Sequence, residues 1–543
     1  MSDKIIYVSD FFDTDVQGGA ELNDAELISM FSEINYDVIK IRSHEVTNSF
    51  LKENSDSFFI ISNFANLKIN CKNYIKDLKY IIYEHDHKYL KKRNPSFYKD
   101  FKAPRHEIVN YFFYKNAQKI ICQSSYHEKI LKNNLNLKNV SNISGNLWSI
   151  KTLEKIRKFS KNKKEEKCSI LDSNIIHKNT SGAIKYCFNK KLEYELIKGP
   201  YIEFLNSMSK NNKFVFFPKS PETLSRIVVE ARMLGCSAVV NQMIGASYEE
   251  WFKLKGEDLI DYMLNKRIEI FNVIEKIICN TSKPKKRPLV SIITTFYKAE
   301  EFLEGLVENL TSQTIFNDCE WVVIDSGSPG KEKNIMNKYC KIYPNIQYVR
   351  YEDKFHPTIG HNIAMGLCNS KYITWAMIDD RKSPDCLEAL YSELQNNKHI
   401  DLVYGDCLVT SNKNETLRET KSKTRSEHSK LEFSHENMIK CLPGPMPLWT
   451  TRMIDKIGFF NDVENLWVDD WELWLRSVND GFLFKKVNKI VGLYLEGGRS
   501  QIDNNLEQRK EEAEIFFKYK HIFGKNYQKY FSYFKQFLEM PSV

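Results

Sequence analysis

Alternation organises this chain: short apolar runs of strand length recur along its 543 residues, and each is followed by a segment long enough for a helix. Before residue 280 the runs are KIIYVSD, DVIKIRS, SFFIISN, KYIIYEHD, KIICQSS, KFVFFPKS and CSAVVNQ; after residue 288 they are LVSIITTFY, EWVVIDSGS, NIQYVRYED, KYITWAMIDD and DLVYGDC. Such a pattern predicts an α/β protein built of parallel sheets with helices on both faces. The length exceeds what one hydrophobic core organises, so two or three domains are expected. With 42% apolar and 13% aromatic residues, there is enough material for their cores.

The strongest boundary signal is CNTSKPKKRPLVS, Cys279 to Ser291, where Pro284 and Pro288 forbid a continuous helix. Its basic cluster reads as a solvated linker. A weaker boundary at RKFSKNKKEEKCS divides the first half, and the segment from Leu506 reads as a charged, aromatic, helical tail. The expected order is a lobe over 1–160, a second and shorter lobe over 161–280, a linker over 281–288, a domain over 289–505 and the tail over 506–543.

Several function classes recede on composition. No run of about 18 apolar residues occurs, and the opening MSDKIIYVSDFFD lacks the basic-then-apolar order of a signal peptide. The expectation is a cytoplasmic protein without a transmembrane segment, with peripheral association at the inner membrane face left open. The 12 cysteines are scattered with no C-x-x-C pair, which argues against a zinc site or a disulfide framework and for reduced core thiols. A net charge of +9 is compatible with nucleic acid, an anionic membrane or an anionic small molecule. The lysines are dispersed among acids and no nucleic-acid motif is present, so the charge points weakly to phosphate-bearing ligands.

Acids close several of the runs in the second half: Asp325, Asp379 with Asp380, and Asp406. If the strands are parallel, these ends share one sheet edge, and such a cluster needs a cation or basic ligand groups to be tolerable. The plainer alternative for Asp379 and Asp380 is a helix cap ahead of Pro384. A further pair, Asp469 and Asp470 in NLWVDDWELWLRSVNDG, opens an amphipathic helix with Trp471, Trp474 and Leu475 on its apolar side, where one capping acid would suffice.

Six segments, VSIITTFYKAEEFLEGLVENLTSQ, EWVVIDSGSPG, IGHNIAMGLCNSKYITWAMIDD, VYGD, IGFFNDVENLWVDDWELWLRSVNDGF and LYLEGGRS, together resemble glycosyltransferase family 2 in order and spacing, over about residues 288–501. The resemblance implies a GT-A fold and an inverting transfer from a nucleotide-sugar donor. It places Thr295, Tyr297, Asp325, Asp380 and Arg499 with the donor, Asp325 at the base. It makes Asp379 the ligand of a divalent metal, Mg²⁺ or Mn²⁺, that bridges the donor diphosphate. Asp470 becomes the general base and Asp469 its neighbour. One departure stands out: Met377 replaces the first acid of the family's D-x-D.

In the first half, VQGGAELND, YIIYEHDHKYL, AQKIICQSSYHEKIL, NIIHKNTSGAIKYC and FVFFPKSPETLSRIVVEARMLGCSAVVN are similar to glycosyltransferase family 4. That likeness implies a GT-B pair of Rossmann-type lobes. Gly18, Gly19, His85, Lys178, Glu222 and Glu230 would contact a donor there, with Glu230 on the ribose and Lys178 on phosphate. Three of these have a plainer alternative: His85 as a structural histidine, the two glutamates as exposed helix acids. The family's arginine before the lysine is Ser173 here, and Thr223–Leu224–Ser225 replace the glycines of its phosphate turn. The reading is a hexosyltransferase-type enzyme acting on a glycan or lipid-linked glycan in surface polysaccharide biosynthesis. The competing classes are a degenerate carbohydrate-binding or scaffold protein, or an enzyme active in its C-terminal module alone.

Overall fold

The computed structural model describes residues 4–281, 287–426, 430–463, 467–497 and 506–539. The chain forms two compact units, Met1–Ala103 with Asn110–Pro284, and Pro104–Val109 with Lys285–Val543. Most of the expected linker, and Arg499, lie outside the described residues.

The first unit holds two sheets, all of whose recorded pairings are parallel. Strands β1 (Lys4–Ser9), β2 (Asp37–Arg42), β3 (Phe58–Ile61), β4 (Lys79–Tyr83), β5 (Ile120–Cys122) and β6 (Val140–Asn142) lie in the order β2-β1-β3-β4-β5-β6. Strands β7 (Glu165–Leu171), β8 (Tyr194–Ile197), β9 (Asn211–Phe216) and β10 (Ser237–Val240) lie in the order β10-β9-β7-β8. Ile5–Val8 and Phe58–Ile61 are buried residue after residue, as strands covered on both faces require. The helix Glu257–Cys279 serves both cores: Leu259, Ile260 and Met263 pack in the second, Ile270, Phe271 and Ile274 in the first.

The second unit is built on one eight-stranded sheet. Its strands are β11 (Ser291–Phe296), β12 (Glu320–Ser326), β13 (Ile346–Tyr351), β14 (Tyr372–Trp375), β15 (Arg381–Lys382), β16 (Leu402–Thr410), β17 (Leu448–Thr450) and β18 (Phe484–Leu495), in the order β13-β12-β11-β14-β17-β16-β18-β15. The first four are parallel, and β17 is antiparallel to both β14 and β16. Two helices, Leu506–Lys518 and Lys525–Leu538, form a hairpin around Phe516, whose ring lies 5.3, 5.2 and 4.4 Å from those of Phe523, Tyr527 and Phe534. This hairpin packs on the helix Asp469–Asn479, with Trp471 against Phe523 and Phe534.

Two local expectations are corrected. The strand KYITWAMIDD ends at Trp375, so Asp379 and Asp380 belong to a turn and not to a strand end. Asp406 sits in the middle of β16 at a register shift, where Lys486 Nζ (3.0 Å) and Arg425 Nη1 (2.6 Å) neutralise it, so it does not join an acidic edge.

Candidate active site

In the second unit the strand order reverses beside β11: β12 and β13 follow on one side and β14 lies on the other. In an open α/β sheet the carboxyl ends at such a switch point leave a crevice for a ligand. Thr295 lies near the end of β11 and Tyr297 directly follows it at this place. Gly360, in the helix Pro357–Leu367, lies directly against the Thr295 side chain, where any Cβ would collide. The Tyr297 ring is flanked by Lys354 Nζ at 4.5 Å and Lys298 Nζ at 5.5 Å, which leaves positive charge beside the crevice.

Asp325 is fully buried near the end of β12. It accepts the Ser328 amide (2.8 Å), the Tyr348 hydroxyl (2.6 Å) and Arg350 Nη1 (3.1 Å). Tyr348 and Arg350 are two residues apart on β13, and Arg350 is the register partner of Asp325. The sequence holds this signal as the period of two in QYVRY, but it becomes readable only with the register.

The turn after β14 is shaped by Arg381, which is 1% exposed. Its guanidinium donates to the carbonyls of Ile378 (3.0 Å), Asp380 (2.6 Å) and Phe302 (3.1 Å). Asp380 points inward and accepts the Leu495 amide at 3.1 Å, which ties the turn to β18. Burial, with Asp379 adding to it, pushes its carboxyl up to about 8. Asp379 is half-buried, and burial raises it too. Among the described residues no three His, Cys, Asp or Glu side chains converge as a metal cage. One carboxylate together with a donor's phosphates is nonetheless a set that magnesium commonly uses, so Asp379 fits a cation brought with the donor.

Asp469 and Asp470 open the helix Asp469–Asn479, whose Trp471, Leu473, Trp474 and Leu475 are buried. The Thr358 hydroxyl donates to Asp469 Oδ2 at 2.6 Å, and Asp469 Oδ1 accepts the Asp470 amide at 3.0 Å. Asp470 Oδ1 accepts the Trp471 amide at 2.7 Å, and the Cys441 thiol donates to its Oδ2 at 3.3 Å. Desolvation, and then the charge of Asp470, hold the Asp469 carboxyl above its ordinary range. Thr358 and Cys441 carry no motif and are placed only by folding.

The first unit brings its expected residues to two places. A cleft of about 310 Å³ between its sheets is lined by Gln17, Gly19, Leu22, Leu171, Gly199, Pro200, Tyr201, Phe204, Arg226, Ile227 and Glu230. Gly18 caps the helix Gly19–Glu33 in an ordinary extended conformation. Glu230 is 2% exposed. Its Oε1 already takes three donors, Trp148 Nε1 (2.9 Å), the Tyr201 hydroxyl (2.6 Å) and Arg226 Nε (3.0 Å). Lys178 Nζ pairs with Glu222 Oε1 at 2.8 Å. His85 is bound on both ring nitrogens, Nε2 to Asp24 Oδ1 (2.9 Å) and Nδ1 to Gln123 Nε2 (2.6 Å).

The second unit is therefore an α/β enzyme domain, with hydroxyls and carboxylates gathered near a sheet switch point. Residues 291–458 match the model of Glycosyl transferase family 2, so the C-terminal half carries a domain of that family. An uncharacterized glycosyltransferase of Methanocaldococcus jannaschii is 23% identical over 228 residues, 42% of this chain and 76% of the relative. A putative teichuronic acid biosynthesis glycosyltransferase of Bacillus subtilis, TuaG, is 28% identical over 102 residues, 19% of this chain and 40% of the relative. Among solved structures, S. aureus TarS in complex with UDP-GlcNAc superposes with a TM-score of 0.37 at 15% identity, over 45% of this chain and 72% of that one. The protein is a glycosyltransferase. No helix among the described residues is long and apolar enough to cross a membrane.

Proposed function

We propose that the C-terminal unit transfers a sugar with inversion from a nucleotide-sugar donor to a hydroxyl of a glycan or lipid-linked glycan, in surface polysaccharide synthesis. The observation that carries this reading is the Asp469–Asp470 pair, two adjacent carboxylates held at the start of a rigid, buried helix. Asp470 serves as the base that takes the acceptor hydroxyl's proton as that oxygen attacks the anomeric carbon, and the bond to the diphosphate breaks on the opposite face. Asp469, bound by Thr358, orients it. On the donor side, Asp325 with Tyr348 and Arg350 forms the base-recognising end, and Thr295 and Tyr297 flank the nucleotide. The turn built by Arg381 presents Asp379, with Asp380 closing that turn from within. A divalent cation bound by Asp379 would neutralise charge on the departing diphosphate. The cytoplasmic face of a membrane suits a lipid-linked acceptor.

For the first unit we infer a family 4-like pair of lobes that binds or organises and does not transfer. Ser173 in place of the family's arginine and Thr223–Leu224–Ser225 in place of its phosphate-turn glycines support this, because an arginine fork and close backbone approach to a diphosphate are both lost. The test is transfer by the full chain from a panel of sugar nucleotides to glycan acceptors, with the product's anomeric configuration read by NMR. Retained configuration would overturn the inverting mechanism. Transfer that survives in Asp470→Asn but is lost in Glu230→Gln would move the activity to the first unit.

A further inference from the structure

The loop that leads into the Asp469–Asp470 helix is held by the C-terminal hairpin of the same unit. Glu511, in the helix Leu506–Lys518, accepts the Trp467 amide at 3.1 Å and the Val468 amide at 3.0 Å, both through Oε1. The helix that begins at Asp469 has no side-chain cap on its flanking residue Val468. Amides around the first turn of a helix lack intrahelical partners and need acceptors, and a carboxylate is the strongest neutral-pH acceptor for them. Glu511 supplies one to this loop from a position 43 residues later in the chain than Val468. The same hairpin grips the helix one turn further on. The Tyr519 hydroxyl donates to Glu472 Oε1 at 2.8 Å, and Lys518 Nζ lies 3.4 Å from the same oxygen.

We propose that Glu511 is a positioning residue for sugar transfer: its carboxylate fixes residues 467–468 and thereby the orientation of the Asp469–Asp470 pair. This rests on the reading of Asp470 as the base. A two-residue lead-in anchored by two hydrogen bonds to one oxygen cannot shift without turning the first helical residue, and a base displaced by about 1 Å can lose on the order of 10²-fold in rate. The effect is expected on the acceptor side, where the two amides that Glu511 holds lead into the Asp469–Asp470 helix. Glu511 also acts through charge. Among the described residues, titratable groups that face Asp469 and Asp470 include Asp470 and Asp469 themselves, Glu511, the Cys441 thiol and, through the Thr358 hydroxyl, His356 Nδ1 at 2.9 Å from Thr358 Oγ1. Glu472, on the same helix, is balanced by Arg476 and Lys518. The negative charge of Glu511 adds to burial and to Asp470 in raising Asp469.

The test compares Glu511→Ala and Glu511→Gln with the parent in the full chain, measuring transfer kcat, donor KM and the pH profile of kcat. Glu511→Ala removes both acceptor and charge. It is expected to lower kcat about tenfold or more while donor KM stays within about twofold. Glu511→Gln keeps a carbonyl oxygen for the two amides, so most of kcat should return, with the acid limb of the profile displaced to lower pH because a neighbouring negative charge is gone. Unchanged kcat and pH profile in Glu511→Ala would overturn the proposal. So would a parallel collapse of donor binding in both variants, which would mean general disruption. Asp470→Asn, measured alongside, keeps the two readings apart. Normal transfer there removes the base assignment whatever Glu511 does. A dead Asp470→Asn beside a fully active Glu511→Ala removes the positioning role alone.

Discussion

The Thr358 hydroxyl and Asp469 meet at 2.6 Å, and because the second Asp469 oxygen takes the amide of Asp470, one carboxylate links the helix Pro357–Leu367 to the start of the helix that carries Asp470. Asp469 takes a hydroxyl and an amide, whereas Asp470 takes the Trp471 amide on one oxygen and the weak Cys441 thiol donor on the other. Asp470→Asn keeps size and most hydrogen bonding but removes the proton acceptor. Transfer should fall about 10²-fold or more with donor affinity retained. Asp469→Asn should be milder. A dead Asp469→Asn beside an active Asp470→Asn, in a transfer assay, would exchange the two roles.

The donor end makes a separate prediction. Arg350 reaches both Asp325 and the Ser328 carbonyl, so it holds the loop after β12 as well as the carboxylate. Arg350→Ala leaves a buried, uncompensated charge on Asp325, and donor KM should rise at least tenfold with a smaller change in kcat. Steady-state kinetics in donor concentration measures it. Equal losses in kcat and in kcat/KM at unchanged KM would place Arg350 elsewhere in the mechanism.

Asp379→Ala should depress transfer steeply, and an excess of EDTA should do the same to the parent enzyme, with Mg²⁺ or Mn²⁺ restoring it. Full transfer in EDTA would show that the one-carboxylate turn works without a cation, and Met377 would then account for the difference from the family's acid pair.

His361 ties stability to pH. It is 6% exposed among Trp375 and Phe460, and burial, with His356 adding, pushes its imidazole down to about 4. The unfolded chain therefore binds a proton that the native state refuses between about pH 6.5 and 4. Its contribution is complete above the unfolded value and is lost as pH falls through this window, by at most about 3 kcal/mol. His361→Phe keeps the ring packing and removes the proton. Thermal melts of parent and variant should diverge progressively below pH 6.5, the variant losing less. Parallel Tm curves from pH 7 to pH 4.5 would rule out this origin.

Legibility in the sequence followed chain distance. Alternation of apolar runs and helix-length segments is local, and it marks the three sheets. The Asp469–Asp470 pair was readable because both acids adjoin an amphipathic helix. The true end of β14 at Trp375 was not, because Ala376, Met377 and Ile378 are as apolar as the strand before them. It is the buried Arg381, gathering carbonyls from Ile378 and Asp380, that bends the chain there. The pairing of Asp406 with Lys486 and Arg425 was hidden for the same reason as the pairing of Lys178 with Glu222: each joins residues whose separation says nothing about contact. In both cases a charge that looked available for a ligand is answered within the protein.

The hairpin that anchors residues 467–468 also has a consequence in time. A ribosome adds about 5–20 residues per second, so Glu511 is made some 2–9 s after Val468, which precedes it by 43 residues. At the start of that interval the chain already contains β11 to β17 but still lacks β18 and the carboxylate that holds the lead-in to Asp469 and Asp470. Synthesis itself thus orders two stages, the parallel strands β11 to β14 first and the contact that fixes residues 467–468 last.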